Sequence, residues 1–416
     1  MKEGTWPSRR DLLKLTPLAI LSGCRMSRVE GVGIWPTKEE EILNRIRELN
    51  FAPGSELGVT FFPRKEMWET AQWMKMEGKW EGGDESDWMA HQDIVREDLK
   101  LLAEAGVKNG RLVVVPFEVS KDGENYDWHK METAIELITA TGIKTDLAVG
   151  PIDYPYGPAA IRIPKTQART LIEEYRETGN EEVEVGLIVD PKMPKSSEAI
   201  GAFGVNYLDE ILKRYGRDDR IGRLYLGNEW PDTHAIEGVG AKATISPSYM
   251  EELARRTKEG TDKKVVLNTN IHPSEVAKLR KVFGLILEIL GDQGVLGIDS
   301  YPTRESINQA KNYGNSIEAV KQEFRGHELE LTEFQAELYD DEVSGKPWAE
   351  IYRDDKDKVT RFYQGKFPET LETYIEAAQT PRVGLWGSPL LTIAHRMGYE
   401  FPLEMLKVTG ETMAKG

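Results

Sequence analysis

Apolar runs of five to eight residues recur along this chain, and amphipathic stretches separate them. That pattern constrains the fold more than any other feature. A short apolar run bounded by Pro, Gly or Asn reads as a strand buried on both faces. A longer stretch with apolar residues three and four apart reads as a helix lying on a sheet. Their alternation predicts parallel strands with helical crossovers, since parallel neighbours cannot be joined by a tight hairpin.

Eight runs qualify as strands: Leu57–Pro63, Gly110–Pro116, Ile143–Gly150, Ile221–Asn228, Lys264–Asn270, Val295–Ser300, Leu329–Glu333 and Val383–Ser388. Several intervening helices are legible. Asp93–Ala105 carries Ile94, Leu99, Leu101 and Leu102 among charged residues and stops at Gly106. Trp128–Thr141 places Met131, Ile135 and Ile138 on one face, Val205–Tyr215 leads into the fourth strand, and Lys278–Leu290 leads into the sixth. The expected fold class is therefore α/β, a (β/α)₈ barrel with elaborated loops. The 416 residues suit a single such barrel, which takes roughly 250 residues and more than 400 with insertions. The expected layout is an export signal at 1–23, a linker and leading helix at 24–54, the barrel at 55–410 and a frayed tail at 411–416. Pro151–Ala202 and Ala336–Thr360 read as long loops on the strands' C-terminal face.

The N-terminal segment has the pattern of an address. Ser8-Arg9-Arg10-Asp11-Leu12-Leu13 precedes a short apolar run ending at Gly23. The run is shorter than the roughly 20 apolar residues a membrane-spanning helix needs, so a secretory signal is the better reading. The Arg9-Arg10 pair resembles the twin-arginine export signature. Leu21-Ser22-Gly23-Cys24 resembles a bacterial lipobox, which implies lipid on Cys24 and an extracytoplasmic, membrane-anchored protein. Cys24 is the one cysteine, so no disulfide within the chain and no cysteine-based metal site is expected. None of the six histidines sits at a metal-ligand spacing, and no metal is expected. The net charge of −16 argues against a nucleic-acid partner and against electrostatic capture by anionic lipid.

Two strand ends carry the chemistry. Leu224-Tyr225-Leu226-Gly227 ends abruptly in Asn228-Glu229, and Pro231 prevents the ladder from continuing. Glu328-Leu329-Glu330-Leu331 ends in Thr332-Glu333. In a parallel barrel both tips lie on one face, so the two carboxyls of Glu229 and Glu333 face a common mouth. Hydrolysis of a glycosidic bond uses such a pair, one carboxyl protonating the leaving oxygen and the other attacking the anomeric carbon. Apolar neighbours such as Trp230 suit a raised pKa at Glu229. Glu337, just beyond the seventh strand, is a rival to Glu333. Strict alternation places Leu329, Leu331 and Glu333 on one face and turns Glu330 toward the helices, where an unpaired carboxylate is costly.

Asn-Glu after strand four and Thr-Glu after strand seven resemble clan A of the retaining glycoside hydrolases, which includes family-five cellulases and mannanases and family-forty-two β-galactosidases. The resemblance spans about Leu57 to Leu391. It implies Glu229 as acid/base, Glu333 as nucleophile and Asn228 as a hydrogen-bond partner of the sugar 2-hydroxyl. It implies that Arg111 supports the nucleophile, that Tyr301 is the strand-six aromatic beside it, and that Trp386 floors the reactive sugar's site. It also implies a carbohydrate substrate, β-linkages and no cofactor. Sugar specificity and oligomeric state are left open. The competing expectations are a lipid-anchored, non-catalytic carbohydrate-binding barrel and, with little support from the histidines, a metal-dependent barrel enzyme.

Overall fold

The computed structural model describes residues 37–113, 116–150, 160–161, 163–186, 188–228, 234–236, 242–300, 307–335 and 346–415. The fold belongs to the unit Lys38–Gly416. Eight parallel strands close into a barrel. They are β1 (Glu56–Phe61), β2 (Asn109–Leu112), β3 (Lys144–Ala148), β4 (Ile221–Tyr225), β5 (Lys264–Thr269), β6 (Gly294–Ser300), β7 (Glu328–Gln335) and β8 (Arg382–Trp386). Each of the eight expected runs supplies one strand, and β8 pairs with β1 to close the ring.

The apolar residues of the strands face outward, into the layer between sheet and helices. Leu57, Val59 and Phe61 of β1, Leu329 and Leu331 of β7, and Val383 and Leu385 of β8 all belong to that continuous core. The helices present their periodic residues to it, with Met131, Ile135 and Ile138 buried on His129–Thr139 and Leu279, Phe283 and Leu287 on Val276–Leu290. The lumen is the reverse. Among the described residues it holds a small separate apolar cluster of Tyr225, Val266 and Val295, and most of its other side chains are polar or charged. A barrel lumen filled by branched apolar residues is the common solution, so this one needs its charges paired.

Two strands depart from regular pairing. In β4 the register passes from Thr145↔Ile221 to Leu147↔Leu224, which inserts one residue at Gly222–Arg223. In β7 it passes from Ile298↔Leu331 to Asp299↔Glu333, which inserts Thr332. Each bulge reverses side-chain parity beyond it. Leu331 and Phe334 both join the outer core, Phe334 packing edge-on to Phe367 with ring centroids 5.5 Å apart. Thr332 and Glu333 both face the lumen. This corrects the expectation from strict alternation. Glu330 points into the barrel, not at the helices, and Glu333 lies on the face opposite to Leu329 and Leu331.

The loops after β3 and β4 carry a second, four-stranded sheet ordered Ala160–Ile161, His234–Ile236, Lys242–Ile245, Glu182–Val185. The segment expected to be one long loop thus holds helix Lys165–Thr178, two short strands, and the start of helix Pro194–Tyr215. Helix Phe401–Met413 extends three residues into the segment 411–416, with Met413 buried. No helix among the described residues is long and apolar enough to cross a membrane.

Candidate active site

The lumen divides into a floor, built from the first residues of the strands, and a mouth at their C-terminal ends. In the floor, Arg382 opens β8 and pairs with Asp146 of β3. Its Nη2 also donates to Asn109 Oδ1 at 2.9 Å and to Glu56 Oε2 at 3.1 Å. Arg223, delivered by the β4 bulge, donates from Nη1 to Glu330 Oε2 at 2.6 Å and lies 2.6 Å from Glu328 Oε1. The Tyr225 hydroxyl donates to Glu330 Oε1 at 2.7 Å. Glu330, at 0% exposure, therefore receives a charged and a neutral donor, as a buried carboxylate requires. Burial pushes the Asp146 carboxyl up to about 6; the Arg382 guanidinium opposes that shift and the Glu330 charge adds to it. Burial likewise raises the Tyr225 hydroxyl well above its ordinary value, with the Glu330 charge contributing.

Tyr225 also separates the two levels. Its hydroxyl belongs to the floor, and the Arg111 guanidinium stands over its ring with the carbon 5.1 Å from the ring centroid. Arg111 opens the mouth. Its Nη2 donates to Asn228 Oδ1 at 3.2 Å and pairs with Glu333. Two residues, 117 and 222 positions from Arg111 in the chain, thus meet at one nitrogen of its guanidinium. Arg111, Asn228 and Glu333 are 3%, 4% and 2% exposed, so their mutual attraction is little screened by solvent. Each is held by backbone that the sequence dictates. Arg111 alternates with outward Leu112, Asn228 follows Gly227 at a positive φ of 89° that favours glycine, and Glu333 follows the bulge.

Beside Glu333, Asp299 of β6 accepts from Thr332 Oγ1 at 2.8 Å and from Asn268 Nδ2 at 2.7 Å. Trp386, at the end of β8, is half-buried and backbone-paired with Gln335. Phe62 packs edge-on to it at 5.4 Å, and Lys65 Nζ lies 5.2 Å from its ring. A small cavity between floor and mouth, lined by Thr60, Arg111, Asp146, Tyr225, Thr332 and Arg382 among others, keeps the two levels from packing solidly.

The structure brings together Arg111, Asn228 and Glu333, and it places Trp386 on the same end of the barrel. Glu229, Tyr301, Glu337 and Cys24 lie outside the described residues. Sequence reasoning missed Asn268, Asp299 and Thr332. The signal available was an acid inside an apolar strand, Gly297-Ile298-Asp299, which burial makes costly unless it has partners. Among the described residues no group of three or more His, Cys, Asp or Glu side chains is arranged to hold a metal ion.

Neither a protein-family model nor a curated protein matches the chain. Solved structures do resemble it at low identity. The native xylanase 10B from Thermotoga maritima is 12% identical, with 83% of this chain and 85% of that one covered and a TM-score of 0.45. GH5_18 from Streptomyces cattleya, in complex with GlcNAc, is 14% identical over 80% and 71% of the two chains, with a TM-score of 0.47. An exo-β-1,4-mannosidase from Opitutaceae bacterium strain TAV5 is 15% identical over 81% and 52%, with a TM-score of 0.43. Similarity this remote says nothing of the reaction, which is read from the side chains alone.

Proposed function

We propose that this chain is a retaining glycosidase that hydrolyses β-glycosidic bonds of an oligo- or polysaccharide, with Glu333 as nucleophile and Glu229 as acid/base. The single observation that carries the reading is the meeting of Arg111, Asn228 and Glu333 at the C-terminal ends of β2, β4 and β7. Active sites of (β/α)₈ enzymes lie at that end. Glu229 is the residue after Asn228, so the strand that presents the amide to Arg111 also carries the second carboxyl.

In the first step a Glu333 carboxylate oxygen bonds to the anomeric carbon while the bond to the leaving oxygen breaks, and Glu229 gives that oxygen its proton. In the second, Glu229 takes a proton from water, the water oxygen bonds to the anomeric carbon, and the Glu333 carboxylate leaves. Arg111 fixes the orientation of the Glu333 carboxyl, and Asn228, held by the same guanidinium, offers its amide to the sugar. Acid, base and nucleophile all come from the two carboxyls, so the reading requires no cofactor.

Glu333→Ala tests it. Turnover of an aryl β-glycoside should fall by roughly 10⁴-fold or more, and added azide should restore product release with inverted anomeric configuration. Wild-type turnover in this variant would reject the assignment.

A further inference from the structure

The insertion of Thr332 in β7 is built into three strands. On β6, Gly297 lies against the inserted residue, and a Cβ placed there would overlap Thr332 Cγ2. On β8, a Cβ at Gly384 would fall 2.5 Å from the Thr332 carbonyl oxygen. Any side chain at either position would press on the bulge from one side. The Thr332 hydroxyl then donates to Asp299 Oδ1 at 2.8 Å, and Asn268 Nδ2 donates to the same oxygen at 2.7 Å. In a ladder of unbroken register Asp299 would pair with Thr332 and not with Glu333, and Glu333 would turn to the side of Leu331, into the apolar layer.

We infer that Thr332 is a positioning residue: its hydroxyl, clamped by Asp299 in the space left by Gly297 and Gly384, fixes the bulge that aims Glu333 at Arg111. The inference rests on Glu333 being the nucleophile, and it adds a group that never touches substrate. A misplacement of about 1 Å in a reacting group costs on the order of 10²-fold in rate. Stability alone does not explain the arrangement, because a regular β7 would keep the same ladder without two glycines beside it.

The experiment compares Thr332→Val, which keeps the shape and removes the donor, with Thr332→Ser, which keeps the donor and removes the methyl group over Gly297. The valine variant should lose kcat by roughly 10²-fold with KM within about threefold of wild type. The serine variant should stay within about threefold in both. A crystal structure of the valine variant should show the Glu333 carboxyl away from Arg111. Gly297→Ala should lose kcat as well, and Gly297→Ala with Thr332→Ser should recover part of it, because serine lacks the methyl group the new Cβ would overlap. Unchanged kcat in Thr332→Val, equal losses in the valine and serine variants, or a valine-variant structure with Glu333 still on Arg111 would each overturn the inference. Failure of the glycosidase reading looks different: Glu333→Gln would then turn over normally, while the crystallographic position of Glu333 in Thr332→Val would still judge the bulge.

Discussion

The floor and the mouth of this barrel use the same parts. Each has a buried arginine, a buried glutamate and a bulged strand that turns a charged residue inward: Arg223 after Gly222 in β4, Glu333 after Leu331 in β7. Each even uses Tyr225, below through its hydroxyl and above through its ring. What differs is position along the strands. The floor is a closed lattice in which Arg223 and Arg382 meet Glu330, Glu328, Asp146 and Glu56. The mouth lies at the other end, with Asn228 three residues beyond β4 and Glu333 near the end of β7. A buried arginine–carboxylate pair therefore does not by itself mark an active site. Its height in the barrel does, since the N-terminal face serves stability and the C-terminal face serves chemistry.

The comparison breaks most sharply at Glu330. Glu330→Ala leaves Arg223 and the Tyr225 hydroxyl without a shared buried acceptor, and losing one partner of such a pair costs about 3–5 kcal/mol. Urea unfolding should register that loss, while kcat per folded molecule stays near wild type. A large fall in kcat with normal stability would merge the two levels into one functional unit.

Proton linkage gives the next effect. The Asp146 carboxyl titrates at about 6 in the fold and at 3.8 when unperturbed. Between those values the folded state holds more protons than the unfolded one, so ionisation works against folding. Its share of stability is greatest below about pH 4, falls as the pH rises through about 6, and is flat above; the loss is on the order of 3 kcal/mol. Glu66, buried in helix Pro63–Met76 beside Ser388, is raised mainly by burial and acts in the same direction. Unfolding midpoints of wild type and Asp146→Asn at about pH 4 and about pH 7 isolate the Asp146 part, and the variant should show the smaller decline. Equal declines would remove Asp146 from the account.

Tyr225→Phe is the gentlest and the most selective change. It deletes the floor hydroxyl and keeps the ring beneath Arg111, so it should cost roughly 1–2 kcal/mol of stability and leave kcat unchanged. A loss confined to kcat would show that the hydroxyl serves the mouth.

Much of this was legible in the sequence, for identifiable reasons. The eight strands were readable because their outer faces are apolar and their ends are marked by Pro, Gly and Asn. Asn228 and Glu333 were readable because each stands where an apolar run stops, whereas Arg111, second in its run, was reached through the resemblance to clan A. The direction of Glu330 was hidden because parity counting assumes an unbroken ladder. The apolar spacing Leu329, Leu331, Phe334 was the trace of the bulge, two steps and then three. The first turns of helix Pro194–Tyr215, before Val205, are not legible in the sequence because they bury Ser196 and Ser197. Both are buried through specific partners: Ser196 Oγ donates to Glu174 at 2.5 Å and Ser197 Oγ to the Glu184 carbonyl at 2.8 Å. Composition cannot show such partners. The second sheet was missed although Glu182-Val183-Glu184-Val185 alternates exposed and buried as an edge-accessible strand should. Its partner, Lys242–Ile245, comes from a different loop.

The most direct test of the division sets two arginines of one lumen side by side, with Arg382→Met and Arg111→Met assayed for unfolding free energy and for kcat on the same preparations. The account predicts that Arg382→Met loses about 3–5 kcal/mol of stability and keeps its turnover per folded molecule, while Arg111→Met, which also leaves a buried carboxylate unpaired, loses comparable stability and in addition roughly 10²- to 10³-fold in kcat per folded molecule. Parallel losses in both quantities for both variants would contradict it.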